Sequence, residues 1–482
     1  MAQRSRGVGE TTLRASDARR TGTAGEGLAI HWLFPATDGP VTPLFGGGVG
    51  GRLVLGRGDD CRTVLPGAEV SRHHAEIVQN GPLAILRDLD SRNGSHVNGV
   101  RTREAPLDRG DVVRLGEWIG VVAEVAPELQ GAPHGPSAIA TGLYGGGFLR
   151  GLLEPVLRAA ASDLPVLIEG ETGTGKEVVA RAIHAASGRP GSFVAVNCAA
   201  LPESLAEGEL FGYRRGAFTG ADRANPGHFR AAHDGTLLLD EITDFPPALQ
   251  AKILRVLEQR EIVPLGESHP VPVNTRVVAA AQQSLVDAVA AKTFRADLFA
   301  RLEGICVRLP PLRERVEDVP YIFSRLLHEL SGGRPPSVDP LLVERLCLYD
   351  WPLNVRELVT LVRRLLVMHG HEPSLKLGHL PHRIASAAAG RSESAGASGA
   401  ELRPASGARL DPREQEERDA ADFARLMEEL HRHSGNVSRA AVAAGLSRQR
   451  AYRLLRARPE VDLPGLLAGL RDSEDDPRSR TP

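Results

Sequence analysis

The 482-residue chain has no run of eighteen or more apolar residues, so nothing in it reads as a membrane-spanning helix. Its opening, MAQRSRGVGETTLRASDARR, has no apolar centre, which excludes a secretory signal. Glu10 and Asp17 break the Arg- and Ser-bearing stretch that an organelle transit peptide needs, so residues 1–25 read as a disordered tail and a cytoplasmic address is expected. Cysteine is scarce. Cys61, Cys198, Cys306 and Cys347 are scattered with no C-x-x-C pair, which fits a reducing compartment and argues against a zinc site. No internal repeat is present. What is present is a 42% apolar composition on a chain too long for one core, so a multidomain protein is expected. The formal net charge of −2 hides one asymmetry: residues 431–458 hold seven arginines and no Asp or Glu.

Composition divides the chain. Residues 26–125 carry short apolar runs (RLVLG, HAEIV, VVRLG) between DD, NG, DS and DRG turns, the spacing of a β-sandwich. Residues 126–142 are rich in Pro, Gly and Ala and read as a linker. From 143 to 384, strand-like runs alternate with helical patterns (VLIEG, EVVARAIHAAS, FVAVN), which argues an α/β domain on a parallel sheet. A low-complexity linker follows at 385–412, then a small helical unit at 413–460 and a polar tail at 461–482.

The apolar run Val166-Leu167-Ile168 leads into Gly170-Glu171-Thr172-Gly173-Thr174-Gly175-Lys176-Glu177 and then a helical pattern. Such a turn aims backbone N–H groups and a helix N-terminus at phosphates, with Lys176 in reach of the β- and γ-phosphates. Glu177 stands where a Mg²⁺-ligating Ser or Thr is usual. As a lone motif this is also ordinary turn chemistry. A second element, Gly235-Thr-Leu-Leu-Leu-Asp240-Glu241, ends an apolar strand in two adjacent carboxylates. Asp240 is placed to hold Mg²⁺ and Glu241 to polarise the water that attacks ATP.

With both motifs in place, residues 143–384 resemble the AAA+ domain of sigma-54-dependent transcription activators, in which a phosphate loop ending in Lys-Glu is common. The resemblance implies further roles. Asn197 in FVAVN matches a switch residue, Arg295 and Arg301 in FRADLFARL match arginine fingers offered to a neighbouring subunit, and Arg356 in WPLNVREL matches an arginine that senses nucleotide in its own subunit. Gly216-Ala217-Phe218-Thr219-Gly220-Ala221 matches the loop that contacts sigma-54, an exposed aromatic beside a hydroxyl between glycines. Fingers offered in trans imply a homo-oligomer, with a hexameric ring as the family form. Two departures from the pattern stand out: Ala281-Gln282 replaces the usual Thr-Asn pair, and Leu353 replaces the Gly of W-P-G-N-V-R-E-L.

In the front region, Gly56-Arg57, Ser71-Arg72-His73-His74, Asp90-Ser91-Arg92-Asn93-Gly94 and Val97-Asn98-Gly99 fall at strand-to-loop junctions. They resemble a forkhead-associated domain. By that resemblance Arg57 and Ser71 bind a phosphothreonine phosphate, Asn93 holds the peptide backbone, Arg72, Ser91 and Arg92 are further contacts, and His74 braces the loops from within. A Ser/Thr kinase is thereby implied. Thr11, Thr12, Thr21 and Thr23 make the chain's own tail a candidate ligand alongside a partner protein. At the other end, Phe423, Leu426, Met427 and Leu430 form an apolar stripe, Gly445 a turn and Ser447 a cap for a basic helix. This resembles a Fis-type helix-turn-helix with Arg448, Gln449, Arg450, Tyr452 and Arg453 facing double-stranded DNA, as a dimer on paired half-sites. The expected whole is an ATP-driven activator of sigma-54 RNA polymerase governed by phosphothreonine recognition. Two alternatives stand beside it: a DNA-binding regulator with ATP as a structural ligand only, and an AAA+ remodeller of another phosphorylated partner.

Overall fold

The computed structural model describes residues 27–45, 51–80, 83–125, 136–218, 221–386, 421–430 and scattered positions between 440 and 454. The front region folds into β1 (Leu28–Phe34), β2 (Val41–Pro43), β3 (Arg52–Gly56), β4 (Thr63–Val64), β5 (Ala75–Asn80), β6 (Leu83–Asp88), β7 (Ser95–Val97), β8 (Val100–Thr102), β9 (Glu104–Leu107), β10 (Val112–Leu115) and β11 (Trp118–Glu124). One sheet runs β2-β1-β11-β10-β7-β8 and the other β4-β3-β5-β6-β9. Alternation along the strands sends Trp32, Leu55, Ile77, Leu86, Val113, Leu115 and Val122 into the core between them. Asn98 and Gly99, both at positive φ, close the β7–β8 hairpin in the conformation that the strand twist favours.

The linker expected over 126–142 ends earlier than its composition suggested. Ser137–Ala140 forms β12, which pairs with β13 (Leu143–Gly145), and Ile139 and Ala140 pack on the next domain. Small residues that read as linker serve here as a strand lying close over a helix.

The central domain continues through α1 (Gly147–Arg158), β14 (Val166–Glu169), α2 (Lys176–Ser187), β15 (Phe193–Asn197), α3 (Glu203–Phe211), α4 (His228–Ala231), β16 (Thr236–Asp240) and α5 (Pro247–Gln259). A short hairpin, β17 (Glu261–Ile262) and β18 (Val271–Pro272), precedes β19 (Arg276–Ala281), α6 (Leu285–Ala290), α7 (Ala296–Leu302) and β20 (Ile305–Arg308). Five of these strands form a parallel sheet in the order β15-β16-β19-β14-β20. Helices cover both faces, so the strands are apolar on both sides: Leu237 and Leu239 enter one core while Leu238 enters the other. Each such leucine stabilises the domain by roughly 1.5–3 kcal/mol.

A helical subdomain closes the described central part: α8 (Asp318–Leu330), β21 (Ser337–Val338), α9 (Pro340–Leu348), α10 (Asn354–His369), β22 (Ser374–Leu375) and α11 (His382–Ala385). Asp339 starts α9 by accepting the Leu341 N–H at 2.9 Å, with Pro340 in the first turn. Leu342, Leu346, Trp351, Leu358 and Val362 form its core. Near the C-terminus, residues 421–430 are helical, and Leu426 and Leu430 pack with Ala440, Ala441, Ala444, Leu446, Ala451 and Leu454. Among the described residues no helix is long and apolar enough to cross a membrane.

Candidate functional site

The buried strand β14 ends at the glycine-rich turn, and α2 begins at Lys176 with Gly175 as its N-cap in the left-handed region, φ 106°. A side chain there would be strained by the backbone, although the space over Gly175 is open, as a phosphate cradle requires. Lys176 is buried. Its Nζ donates to the Gly170 carbonyl at 2.8 Å and lies 3.5 Å from the Glu241 carboxylate. The Thr174 hydroxyl donates to the Glu171 carbonyl at 2.8 Å, which tightens the turn. Glu177 pairs instead with Arg181 one helical turn on.

The carboxylate pair sits where β16 leaves the sheet. Asp240 Oδ1 accepts the Glu241 N–H at 3.1 Å, and Glu241 takes a left-handed conformation, φ 56°. Non-glycine residues visit that region at a cost, so a local turn is what aims Glu241 toward Lys176. Asn197, at the end of the neighbouring strand, is the register partner of Asp240, and its Oδ1 accepts the Ala199 N–H at 3.0 Å. Two carboxylates beside a buried ammonium and an open helix N-terminus are a donor set that fits the phosphates of a nucleotide and a hard divalent cation.

The lid grips the same turn from above. Arg313 makes a two-pronged pair with Glu171, at 2.9 and 2.5 Å, and holds that carboxyl below the usual range, helped by Asn354. Asn354 is fully buried at φ 52°. Its amide donates to Glu171 and to the Thr172 carbonyl, while its oxygen accepts the Leu312 N–H. Arg315, also buried, donates to the Thr174 carbonyl at 2.9 Å. A Cβ on Gly173 would lie 2.2 Å from the Leu353 carbonyl oxygen and 3.0 Å from Arg356 Cβ, so that glycine lets the start of α10 rest on the turn.

Arg295 and Arg301 bracket α7. Arg295 pairs with Asp297 through two hydrogen bonds, and Arg301 donates to the Leu257 carbonyl at 3.1 Å. Arg301 also lines a cavity of about 410 Å³ together with Arg189, Arg260, Arg276 and Asp163. In the glycine-bounded loop, the Gly216 N–H reaches the Ala221 carbonyl at 2.8 Å, and Phe218 is 39% exposed with its ring edge against Tyr213, centroids 5.0 Å apart. Ala221 is buried, so it anchors the loop rather than presenting it. Thr219 and Gly220 lie outside the described residues.

In the sandwich, Gly56 passes so close to the Ser71–Arg72 turn that a Cβ would lie 2.1 Å from the Arg72 carbonyl oxygen. That approach sets exposed Arg57 beside Ser71, and the Arg57 N–H donates to the Ser71 carbonyl at 3.0 Å. The Ser71 hydroxyl accepts the Arg92 N–H at 3.1 Å, the Arg92 guanidinium caps the Ala68 carbonyl, and the Asn93 amide donates to the Glu69 carbonyl at 2.8 Å. Arg72 is exposed beside them. Ser91 is different: it is buried, and its hydroxyl donates to Asp88 at 2.6 Å. The expected ligand contact from Ser91 is therefore corrected to a brace of the loop. His74 is fully buried, accepting the Ser71 N–H at Nδ1 and meeting the Gly94 carbonyl through Nε2. That pattern fixes a neutral ring with its proton on Nε2, and burial lowers its pKa.

Residues 147–308 match the family of the sigma-54 interaction domain, residues 53–116 that of the FHA domain, and residues 313–397 that of the AAA+ ATPase lid domain. This chain carries a sigma-54 interaction domain. It is 49% identical over 222 residues to the putative uric acid sigma-54-dependent transcriptional regulator UacR of Escherichia coli (strain K12), covering 45% of this chain and 38% of that protein. It is 41% identical over 296 residues to the regulatory protein AtoC of the same organism, covering 61% and 62%. The match thus spans about two fifths to three fifths of those relatives' length. A solved structure of NtrX from Brucella abortus in complex with ATP is 32% identical, with 66% of this chain and 69% of that chain covered and a TM-score of 0.46.

Within the sigma-54 interaction domain and its lid, the fold brings Gly170–Lys176, Asp240, Glu241 and Arg356 to one place, with Asn197 at its edge. Arg295 and Arg301 make their hydrogen bonds elsewhere. In the FHA domain, Arg57, Ser71, Arg72, Arg92 and Asn93 share the loop end. Arg448, Gln449, Arg450, Tyr452 and Arg453 lie outside the described residues, as do Thr11, Thr12, Thr21 and Thr23. Sequence reasoning passed over Arg313, Arg315 and Asn354. Asn354 lies inside the WPLNVREL string, but only its left-handed backbone turns its amide to the phosphate loop. Arg313 and Arg315 follow a Pro-Pro pair and carry no periodic signal.

Proposed function

We propose that the chain is an ATP-hydrolysing activator of transcription by sigma-54 RNA polymerase, regulated by phosphothreonine recognition in its FHA domain. The observation that carries the reading is the convergence of Lys176, Asp240 and Glu241 on one glycine turn that the lid holds closed. Lys176 would neutralise the β- and γ-phosphates of bound ATP, and Glu241 would orient and polarise the attacking water. Bound at Asp240, Mg²⁺ would offset phosphate charge. Asn197 would restrain Glu241 until nucleotide is in place, and Arg356 would report nucleotide to its own lid. Arg295, released from Asp297, and Arg301 would reach the neighbour's γ-phosphate in a homo-oligomeric ring. Residues 216–221 would carry the stroke to sigma-54 through Phe218 and Thr219.

Arg57 and Ser71 would take the phosphate of a phosphothreonine, supplied by a kinase substrate or by the chain's own tail, with Arg72 and Arg92 adding charge and Asn93 holding the peptide backbone. The basic segment at 448–453 would place the protein on double-stranded DNA as a Fis-type helix-turn-helix, in the cytoplasm. The test is ATP turnover against protein concentration, followed by capture of purified sigma-54 in the presence of a metal-fluoride mimic. Turnover that rises with assembly, and capture lost in Thr219→Ala, is the expected result.

One observation favours a second reading, a regulator that binds ATP without hydrolysing it. Ala281, where the family has a polar side chain, is fully buried and offers the phosphate turn only its carbonyl, which accepts the Gly170 N–H at 3.1 Å. Binding of ATP with neither turnover nor capture would select that reading.

A further inference from the structure

In an antiparallel sandwich the outer face of a sheet is expected to be polar, yet β10 and β11 are apolar on both faces. Val113, Leu115 and Val122 fill the core between the sheets. Val112, Ile119 and Val121 point outward with Leu33 and are nevertheless fully buried. The helix α9 has the complementary surplus. Leu342 and Leu346 serve the lid core, while Val343, Cys347 and Leu348 occupy another side. These two surpluses meet, with Val316 at their edge, in one buried cluster. Within it Glu344, 1% exposed, faces Arg114 of β10 at 3.2 Å. Arg109, in the turn before β10, lies over the Phe148 ring at 5.1 Å.

We propose that the outer face of the FHA sheet is a docking surface for the lid of the same chain, and that this docking strengthens the hold of the lid on nucleotide. The buried pair gives the contact its specificity. A carboxylate at 1% exposure is costly without a cation beside it, so an FHA domain in another register would leave Glu344 uncompensated. The far side of the lid is continuous with the phosphate turn: Leu346 of α9, Trp351 and Leu358 of α10 share one core, and Asn354, Arg313 and Arg315 bond directly to the turn. At the other end, Arg114 is the cross-strand partner of His96, three residues beyond Asn93. A contiguous set of packed and paired groups therefore runs from the phosphothreonine loops to Glu171.

The coupling half of this inference rests on the nucleotide site proposed above, and the docking half does not. The experiment measures hydrogen–deuterium exchange at residues 112–121 and 340–348, and binding of a fluorescent ATP analogue, in the full chain. Arg114→Glu and Glu344→Arg are each expected to raise exchange in both segments and to weaken analogue binding about fivefold or more, and the double exchange to restore both. Because a change at Glu344 can disturb the lid itself, Val121→Lys on the FHA face serves as a second disruption that leaves the lid sequence intact. If Val121→Lys and Arg114→Glu leave exchange in 340–348 at the wild-type rate, the docking is wrong. Faster exchange with unchanged analogue affinity would overturn the coupling alone. A wild-type chain that binds no analogue would remove the nucleotide reading and the coupling with it, while the exchange data would still decide the docking.

Discussion

Gly173 shows how much one missing methyl group decides. Its φ of 78° and the Leu353 carbonyl 2.2 Å from where a Cβ would sit make Gly173→Ala strained twice over. We expect that variant to lose nucleotide affinity and to melt earlier by calorimetry, at a cost of roughly 1–3 kcal/mol. Glu241→Gln keeps the shape and removes the carboxylate that the proposed mechanism uses as the base. Turnover should fall by about 10²–10⁴ while binding of ATP, measured directly, is retained. In the FHA domain, His74 and His96 are both held neutral, His74 by burial and His96 by burial together with Arg114, which push its pKa down to about 4. Unfolded imidazoles take up protons near 6.5, so below that pH the unfolded state binds more protons than the folded one. The stability from neutral His96 is complete above about 6.5 and is lost as pH falls toward 4. Denaturant melts at pH 7.5 and at about 5 should show the drop, and His96→Gln should shrink it.

Among the elements, those with strong local signals were legible in advance. The apolar runs RLVLG and VVRLG, the NG hairpin at 98–99 and the VLIEG strand into a helix all appear where their patterns put them. The elements that escaped had weaker local signals. Ser137–Ala140 is too short and too small-residued to distinguish from linker, and it is a strand because β13 lies beside it. Ser91 has the polarity of a ligand contact, and only the position of Asp88 turns it inward. The grip of the lid depends on α10 starting with a buried, left-handed Asn354, which composition does not announce. Asn354→Ala removes three hydrogen bonds from a buried site and leaves the Leu312 N–H without its partner. A loss of about 1–3 kcal/mol is expected, together with weaker ATP binding, and thermal melts with and without nucleotide measure both.

For the whole molecule, the decisive geometry is the separation of Arg295 and Arg301, the proposed fingers, from the phosphate turn of their own chain. Arg295 is occupied by Asp297, and both arginines hydrogen-bond away from Gly170–Lys176. Activity should therefore depend on assembly. Arg295→Ala and Arg301→Ala are each expected to lower turnover by about 10³-fold or more, as arginine fingers do elsewhere. Mixing either variant with Glu241→Gln should restore some turnover per subunit only if finger and carboxylate come from different chains. Recovery on mixing supports a ring, and strictly additive inactivity would count against fingers supplied in trans.

The doubly apolar strand β11 also bears on how such a protein is assembled from parts. An FHA domain cut away after Glu124 would bare Leu33, Val112, Ile119 and Val121 to water, a sticky patch rather than a finished surface. This FHA domain is thus not a portable cassette. Transplanted onto a different ATPase it would need a lid whose α9 offered the same valine, cysteine and glutamate, and a gene fusion lacking that match would begin as an aggregation problem before it became a regulator.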